Sequence, residues 1–378
     1  MGWVDIAQTC RCRNAGWNLR PKHSSVHRPR QILWFEHICK GQDVDIIERN
    51  ARAVLLPAID GLELTDDLKR YFDEGGRSLL LGETRAEYVS RRMSDARRAC
   101  ERAEDFQRLA GEVASRADGV MIALDQEPAG IERLHGLAPS FGDRAELLSM
   151  PDETIRQRAH DIGRKARELG VGMFLGPVVD VLTGHNPWLH GRTLHADVVQ
   201  VARLTRAIIS GVQSAGVVAV AKHFPGHHDI TGDPAIELAD VRGTAEDLLP
   251  GFEVFRSAIQ AGVRAIMTGP ALVPAIDLEF PSSRSKKTID MLRHDFGFTG
   301  IIVSDDIDAV AMLRGLSDGE TAVAAVKAGA DLILLPASGI DDVAKHVAAA
   351  VRSGDLPDHR LADAIRNVEI NAGALVAQ

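Results

Sequence analysis

Eight short apolar runs, interleaved with longer helical patterns, constrain the fold more than any other feature of the sequence. The runs cover residues 53–59, 78–83, 119–127, 172–180, 216–226, 265–270, 300–306 and 331–336. Near-continuous apolar runs suit strands covered on both faces, as in parallel sheets. The intervening segments 151–169, 197–215, 245–261 and 320–328 carry apolar residues at helical spacing, with glycine just beyond each end. Eight such units predict an α/β fold, a (β/α)8 TIM barrel, over residues 43–378. The highly charged stretch 84–117 is expected to form one long solvated helix.

Composition bounds what such a chain does. An apolar share of 45% and a charged share of 26% are those of an ordinary soluble protein. A formal net charge of -9 argues against nucleic acid or an anionic membrane as the main partner. The sequence holds no apolar run long enough to span a bilayer and no apolar region typical of a signal peptide, so a cytoplasmic setting is expected. Residues 1–42 are basic and aperiodic, and are expected to form a flexible extension. Three of the four cysteines, Cys10, Cys12 and Cys39, fall there, with Cys100 further on, which fits a reducing compartment. The pair Cys10 and Cys12, with His23 and His27, lacks the usual C-x2-C zinc spacing. No metal and no cofactor is expected.

Polar groups gather where the runs end. Asp125, Gln126 and Glu127 end the third, Asp180 the fourth, Lys222 and His223 the fifth, and Ser304, Asp305 and Asp306 the seventh. In a closed barrel these carboxyl ends share one rim, the face where barrel enzymes place catalytic groups. Strand-ending turns also favour Asp and Ser, but four such ends carry more weight than one. Carboxylates without a cysteine–histidine cluster or a glycine-rich phosphate loop fit glycoside hydrolysis, which needs a carboxylate facing the anomeric carbon and a separate proton donor. Asp305 suits the nucleophile, and Arg133, Arg192, Lys222 and His223 offer donors for hydroxyls or an amide carbonyl.

In chain order the segments LDQE with Arg133 after it, PVVD (177–180), GRTL (191–194), KHFPGH (222–227), SDD (304–306) and AGADLIL (328–334) resemble the motifs of glycoside hydrolase family 3. The resemblance is greatest to its single-domain branch, the bacterial β-N-acetylhexosaminidases that trim cell-wall muropeptides. It implies that Asp305 forms a covalent glycosyl-enzyme and that Asp125, Arg133, Arg192, Lys222 and His223 bind the sugar. It further implies a proton donor from a D-S-H triplet on the loop after KHFPGH. Here that triplet reads Asp233, Pro234 and Ala235, so the orienting aspartate is present and the histidine is not. Neighbouring departures are Pro128, Ala129 and Gly130, then Gly191, and then Gly269 and Pro270. Two alternatives follow. One is a retaining β-glycosidase whose proton comes from His228, Asp229 or Glu237. The other is a pseudoglycosidase, a repurposed barrel that binds a glycoside or small molecule, or catalyses a different reaction.

Overall fold

Strands form at all eight apolar runs: β1 (Leu55–Ile59), β2 (Ser78–Leu81), β3 (Met121–Leu124), β4 (Met173–Phe174), β5 (Val218–Phe224), β6 (Ala265–Thr268), β7 (Ile301–Val303) and β8 (Ile333–Pro336). The computed structural model describes residues 45–182 and 184–373, which fall within one unit, Val44–Gln378. Neighbouring strands are parallel in the order β7-β6-β5-β4-β3-β2-β1-β8, and a parallel bridge between Val303 and Leu332 closes the ring. The expected (β/α)8 barrel is the observed architecture. The 42/43 boundary, the basic extension and Cys10, Cys12, His23 and His27 lie outside the described residues. Among the described residues no helix is long and apolar enough to cross a membrane.

Strand periodicity of two explains why the runs are apolar throughout. Leu80, Met121, Ala123, Met173, Val218 and Val220 pack inside the barrel. Their neighbours Leu79, Leu81, Ile122, Leu124, Phe174 and Ala219 pack outward against the helices. Helices form at Asp152–Glu168, Val198–Ser214, Leu249–Gln260 and Asp318–Ala328, each inside or overlapping an expected segment. Asp197 caps the second by accepting from the Val199 and Gln200 amides, and Ser317 with Glu320 forms a capping box on the fourth.

Residues 84–117 are not one helix but three, Arg85–Ser90, Asp95–Cys100 and Ala103–Arg116. Local capping overrides the charge pattern. Thr84 and Glu87 form a capping box, Arg91 ends the first helix in the left-handed region at φ 57°, and Ser94 caps the second. Buried Glu87 joins the first two by accepting from the Ser94 amide at 2.8 Å and from Arg97 Nε at 2.9 Å. The broken segment places Tyr88, Glu101 and Asp105 beside the barrel mouth.

Different chemistry closes the two ends. Beneath the barrel, Val368 of the terminal helix Asp358–Gly373 packs against the inner cluster. There fully buried Asp331 accepts from Arg293 at 2.5 Å, Arg360 at 2.8 Å, the Ile302 amide at 2.9 Å and Asn367 at 3.2 Å. At the other end Val178, Trp188, Ile230, Val241, Leu248 and Ala271 form a separate apolar cluster that holds the loops after β4, β5 and β6 together.

Candidate active site

A cavity of about 980 Å³ opens at the carboxyl ends of the strands. Asp125 and Glu127 after β3, Lys222 and His223 in β5, and Asp305 and Asp306 after β7 all line it, together with Arg192 from the long loop after β4. Consecutive residues of a strand normally face opposite sides, yet Lys222 and His223 both reach the cavity. The β5–β6 register shifts between Lys222 and Phe224, a local irregularity of the kind that re-aims side chains.

The cationic side chains here are already paired. Lys222 Nζ lies 2.7 Å from Asp125 Oδ1 and 2.8 Å from Glu127 Oε1. Arg192 grips Glu127 through Nη2 at 2.7 Å and Nε at 3.2 Å. Burial alone would push the Glu127 carboxyl up, but the Arg192 and Lys222 charges outweigh it and hold the group well below the usual range. Burial likewise works against the Lys222 ammonium, and Asp125 and Glu127 reverse its effect, so the lysine stays charged. Arg192 Nη1 is left buried with no protein partner.

Behind this cage, Asp180 organises two histidines. It accepts from the His223 amide and Nδ1, both at 2.9 Å, and from the His227 amide at 2.8 Å and Nδ1 at 3.3 Å. Burial lowers the His223 ring to about 3 despite Asp180, so the ring is neutral at physiological pH. A neutral ring that donates through Nδ1 presents the Nε2 lone pair, which faces Asp305 Oδ2 at 3.9 Å. Trp188 packs on both rings, at 4.6 Å and 5.1 Å between centroids. Asp180, His223 and His227 are the group among the described residues whose donor atoms converge within 4.8 Å. Their Nδ1 atoms are spent on the carboxylate, so the cluster reads as a hydrogen-bonded scaffold and not as an open metal site. The glycine at 269 belongs to the same packing, since a Cβ there would meet His227 Cε1 at 2.0 Å.

Asp305 occupies the centre. It is 8% exposed, and its amide donates to Ser283 Oγ at 3.1 Å. Oδ1 accepts from the Asp306 amide at 2.9 Å, whereas Oδ2 is buried without a hydrogen-bond partner. Burial raises the group to about 6, opposed by the Asp306 amide and by the Lys222 and Arg192 charges. Asp305 is thus a cavity-lining carboxyl with one oxygen that no hydrogen bond claims.

The loop after β5 forms a strap in the cavity wall, fastened to the segment after β7. The amides of Val310 and Ala311 donate to Ala235 O at 3.3 Å and Pro234 O at 3.0 Å. Pro234, Ala235 and Ile236 line the cavity. Asp233 pairs with Arg85 at 3.0 Å and accepts from the Ala235 amide at 3.0 Å.

These features can be set beside known proteins. The family model described as "Glycosyl hydrolase family 3 N terminal domain" matches residues 93–370, well over half of the chain. The chain belongs to glycosyl hydrolase family 3. It is similar to a "Beta-hexosaminidase" of Nitrosomonas eutropha, 32% identical over 232 residues, which are 59% of this chain and 66% of that one. It is also similar to the "Beta-hexosaminidase LpqI" of Mycobacterium tuberculosis, 30% identical over 62% of this chain and 63% of that one. Among solved structures, a family 3 β-N-acetylglucosaminidase from Paenibacillus sp. str. FPU-7 superposes with a TM-score of 0.77. It is 27% identical, over 88% of this chain and 63% of that one. The chain thus spans just under two thirds of the length of the relatives it matches first.

Of the site residues expected from the family 3 resemblance, Asp125, Arg192, Lys222, His223 and Asp305 meet in one cavity. Arg133 does not reach it. Its guanidinium is fully buried, bound to Glu101 at 2.7 and 2.9 Å, with Nε donating to Gly82 O at 2.9 Å. The candidate proton donors also lie elsewhere. His228 sits beside Asp247 and Leu248 in a separate small pocket. Asp229 accepts from the His185 amide at 3.0 Å, and Glu237 accepts from the Asp233 amide at 3.0 Å. None of the three lines the cavity in this structure. Glu127, expected at the rim as a strand-end residue, also lines the cavity, and so do Glu83, Tyr88 and Trp188, which the motifs do not mark. Glu83 and Glu127 follow strands and obey the rim rule, whereas Tyr88 and Trp188 sit in segments with no local signal. Glu127 also accounts for Gly130, where a Cβ would approach Glu127 Oε2 to 2.1 Å.

Proposed function

We propose that this barrel is a retaining β-glycosidase of the β-N-acetylhexosaminidase type with Asp305 as nucleophile. The carboxyl of Asp305, which lines the cavity and keeps one oxygen free of hydrogen bonds, carries this reading. The names of the relatives support the substrate class. Oδ2 bonds to the anomeric carbon as the bond from that carbon to the aglycone oxygen breaks. Water then cleaves the glycosyl ester, releasing the sugar and restoring the carboxylate. Asp125, Lys222, Arg192 and His223 bind hydroxyls, with Arg192 Nη1 as an uncommitted donor. The departing oxygen needs a proton unless the aglycone is acidic. Because the strap contributes Pro234, Ala235 and Ile236 to the cavity, alkyl glycosides lose roughly 100- to 10,000-fold relative to an enzyme with a placed acid, and activated aryl glycosides lose far less.

That same strap favours a second reading, a barrel that binds a glycoside without hydrolysing it. Intact-protein mass after incubation with 2-deoxy-2-fluoro or 5-fluoro glycosyl fluorides separates the two, because these reagents need a nucleophile and no acid. An adduct on the native protein, absent from Asp305→Asn, is the expected result. No adduct with any sugar configuration favours binding alone.

A further inference from the structure

The geometry points to an ammonium-recognising subsite at Glu83, so that the glycoside this cavity takes carries a free, positively charged amine. The inference rests on the glycosidase reading for the sugar and goes beyond it in substrate class. Ten carboxylates line the cavity against four permanent cations. Each of those cations already has a carboxylate partner: Arg85 with Asp233, Arg108 with Asp105, Arg192 with Glu127, and Lys222 with Asp125 and Glu127. Glu101 is paired with Arg97 and Arg133 behind the wall, so the excess falls on carboxyls such as Glu83 and Asp306, which no arginine or lysine pairs with.

Glu83 is where that surplus is most exposed to consequence. It lies two residues past the end of β2, lines the cavity, and its Oε2 is buried without a hydrogen-bond partner. No hydrogen bond or ion pair joins its side chain to any described residue. The backbone beneath it is held firmly, since the Gly82 amide donates to Ile59 O at 2.7 Å and Gly82 O accepts from the fully buried Arg133. A buried polar oxygen with no partner is costly, and an incoming donor relieves that cost. Burial, then the charges of Asp125 and Glu127, raises the Glu83 carboxyl well above its ordinary value, with Asp306 adding to the effect and Lys222 opposing it. A cation placed there reverses that balance.

The occupant fits an organic ammonium better than a metal ion. Glu83 is not part of any group of three ligating side chains with donor atoms within 4.8 Å among the described residues. A cavity of about 980 Å³ with Trp188 and Tyr88 in its wall suits a small sugar-like molecule.

The test is calorimetric titration with methyl β-glucopyranosides bearing an amine at one ring position at a time, each compared with its N-acetyl counterpart below the amine's own pKa. At least one amine is expected to bind on the order of tenfold or more tightly than its acetylated partner. Glu83→Gln is expected to abolish that preference, and Glu83→Asp to retain part of it, with melting curves confirming that both variants fold. Equal binding of all pairs, or an undiminished preference in Glu83→Gln, overturns the inference. Fluoroglycoside trapping in parallel reads the underlying glycosidase proposal separately. An adduct on Asp305 without amine preference overturns only the ammonium subsite. Amine preference without an adduct supports the subsite and removes hydrolysis.

Discussion

The carboxyl of Asp305 has one oxygen tied to the Asp306 amide and the other tied to nothing, in a setting that raises it to about 6. A carboxyl in the unfolded chain titrates near 4, so between about pH 4 and pH 6 the folded state binds more protons than the unfolded. Stability from this group is therefore full below about pH 4 and is lost as pH rises through about 6. At pH 7.5 Asp305→Asn is expected to stabilise the fold by roughly 2 kcal/mol, a gain that disappears near pH 4. Urea midpoints at the two pH values check it. The proposed nucleophilic role runs the other way, because it needs the ionised form. Labelling by a fluoroglycosyl fluoride should fall towards tenfold per unit below about pH 6. A flat profile down to pH 4.5 contradicts the raised carboxyl. His223 does not add a second limb in that range, since burial keeps its ring neutral well below it.

At the scale of elements, the strap after β5 decides what chemistry is left. Its carbonyls at Pro234 and Ala235 accept from the Ala311 and Val310 amides, and its Asp233 is held by Arg85. Position 235 faces the cavity, so a histidine there would place a titratable ring in it. Ala235→His is expected to raise kcat/KM for an alkyl hexosaminide tenfold or more, with little change for a 4-nitrophenyl glycoside, because only the former needs a protonated leaving oxygen. An equal change for both substrates would show that the new ring acts by packing alone. The eight strands were legible in the sequence because each is apolar on both faces, and Asp125, Lys222, His223 and Asp305 were legible because strand ends converge in a barrel. The three-helix form of 84–117 was hidden by its charge, although Thr84 with Glu87 and Ser94 carried the capping signals. The place of Arg133 was not legible, since it depends on Glu101, 32 residues earlier, which engages the guanidinium in the buried wall. His228, Asp229 and Glu237 depended on how the strap folds, which no periodicity encodes.

Over the whole molecule, stability and function occupy opposite ends of the barrel. At the floor, Asp331 pairs with both Arg293 and Arg360 and ties the terminal helix to β8 through Asn367. Asp331→Ala leaves both arginines without that partner and is expected to cost about 3 kcal/mol, read as a lower urea midpoint at an unchanged m value. Below that midpoint the variant should still be labelled at Asp305, because the rim does not rely on the floor for its geometry. At the rim, polar groups are paired, strained by burial or left unsatisfied, which suits a cavity meant to be filled by a ligand. The nucleophile is tested most directly by peptide mapping after incubation with a panel of 2-deoxy-2-fluoro and 5-fluoro glycosyl fluorides. One covalent sugar is expected on the peptide that contains Asp305, absent from Asp305→Asn. A sugar on another residue, or none from any member of the panel, contradicts that expectation.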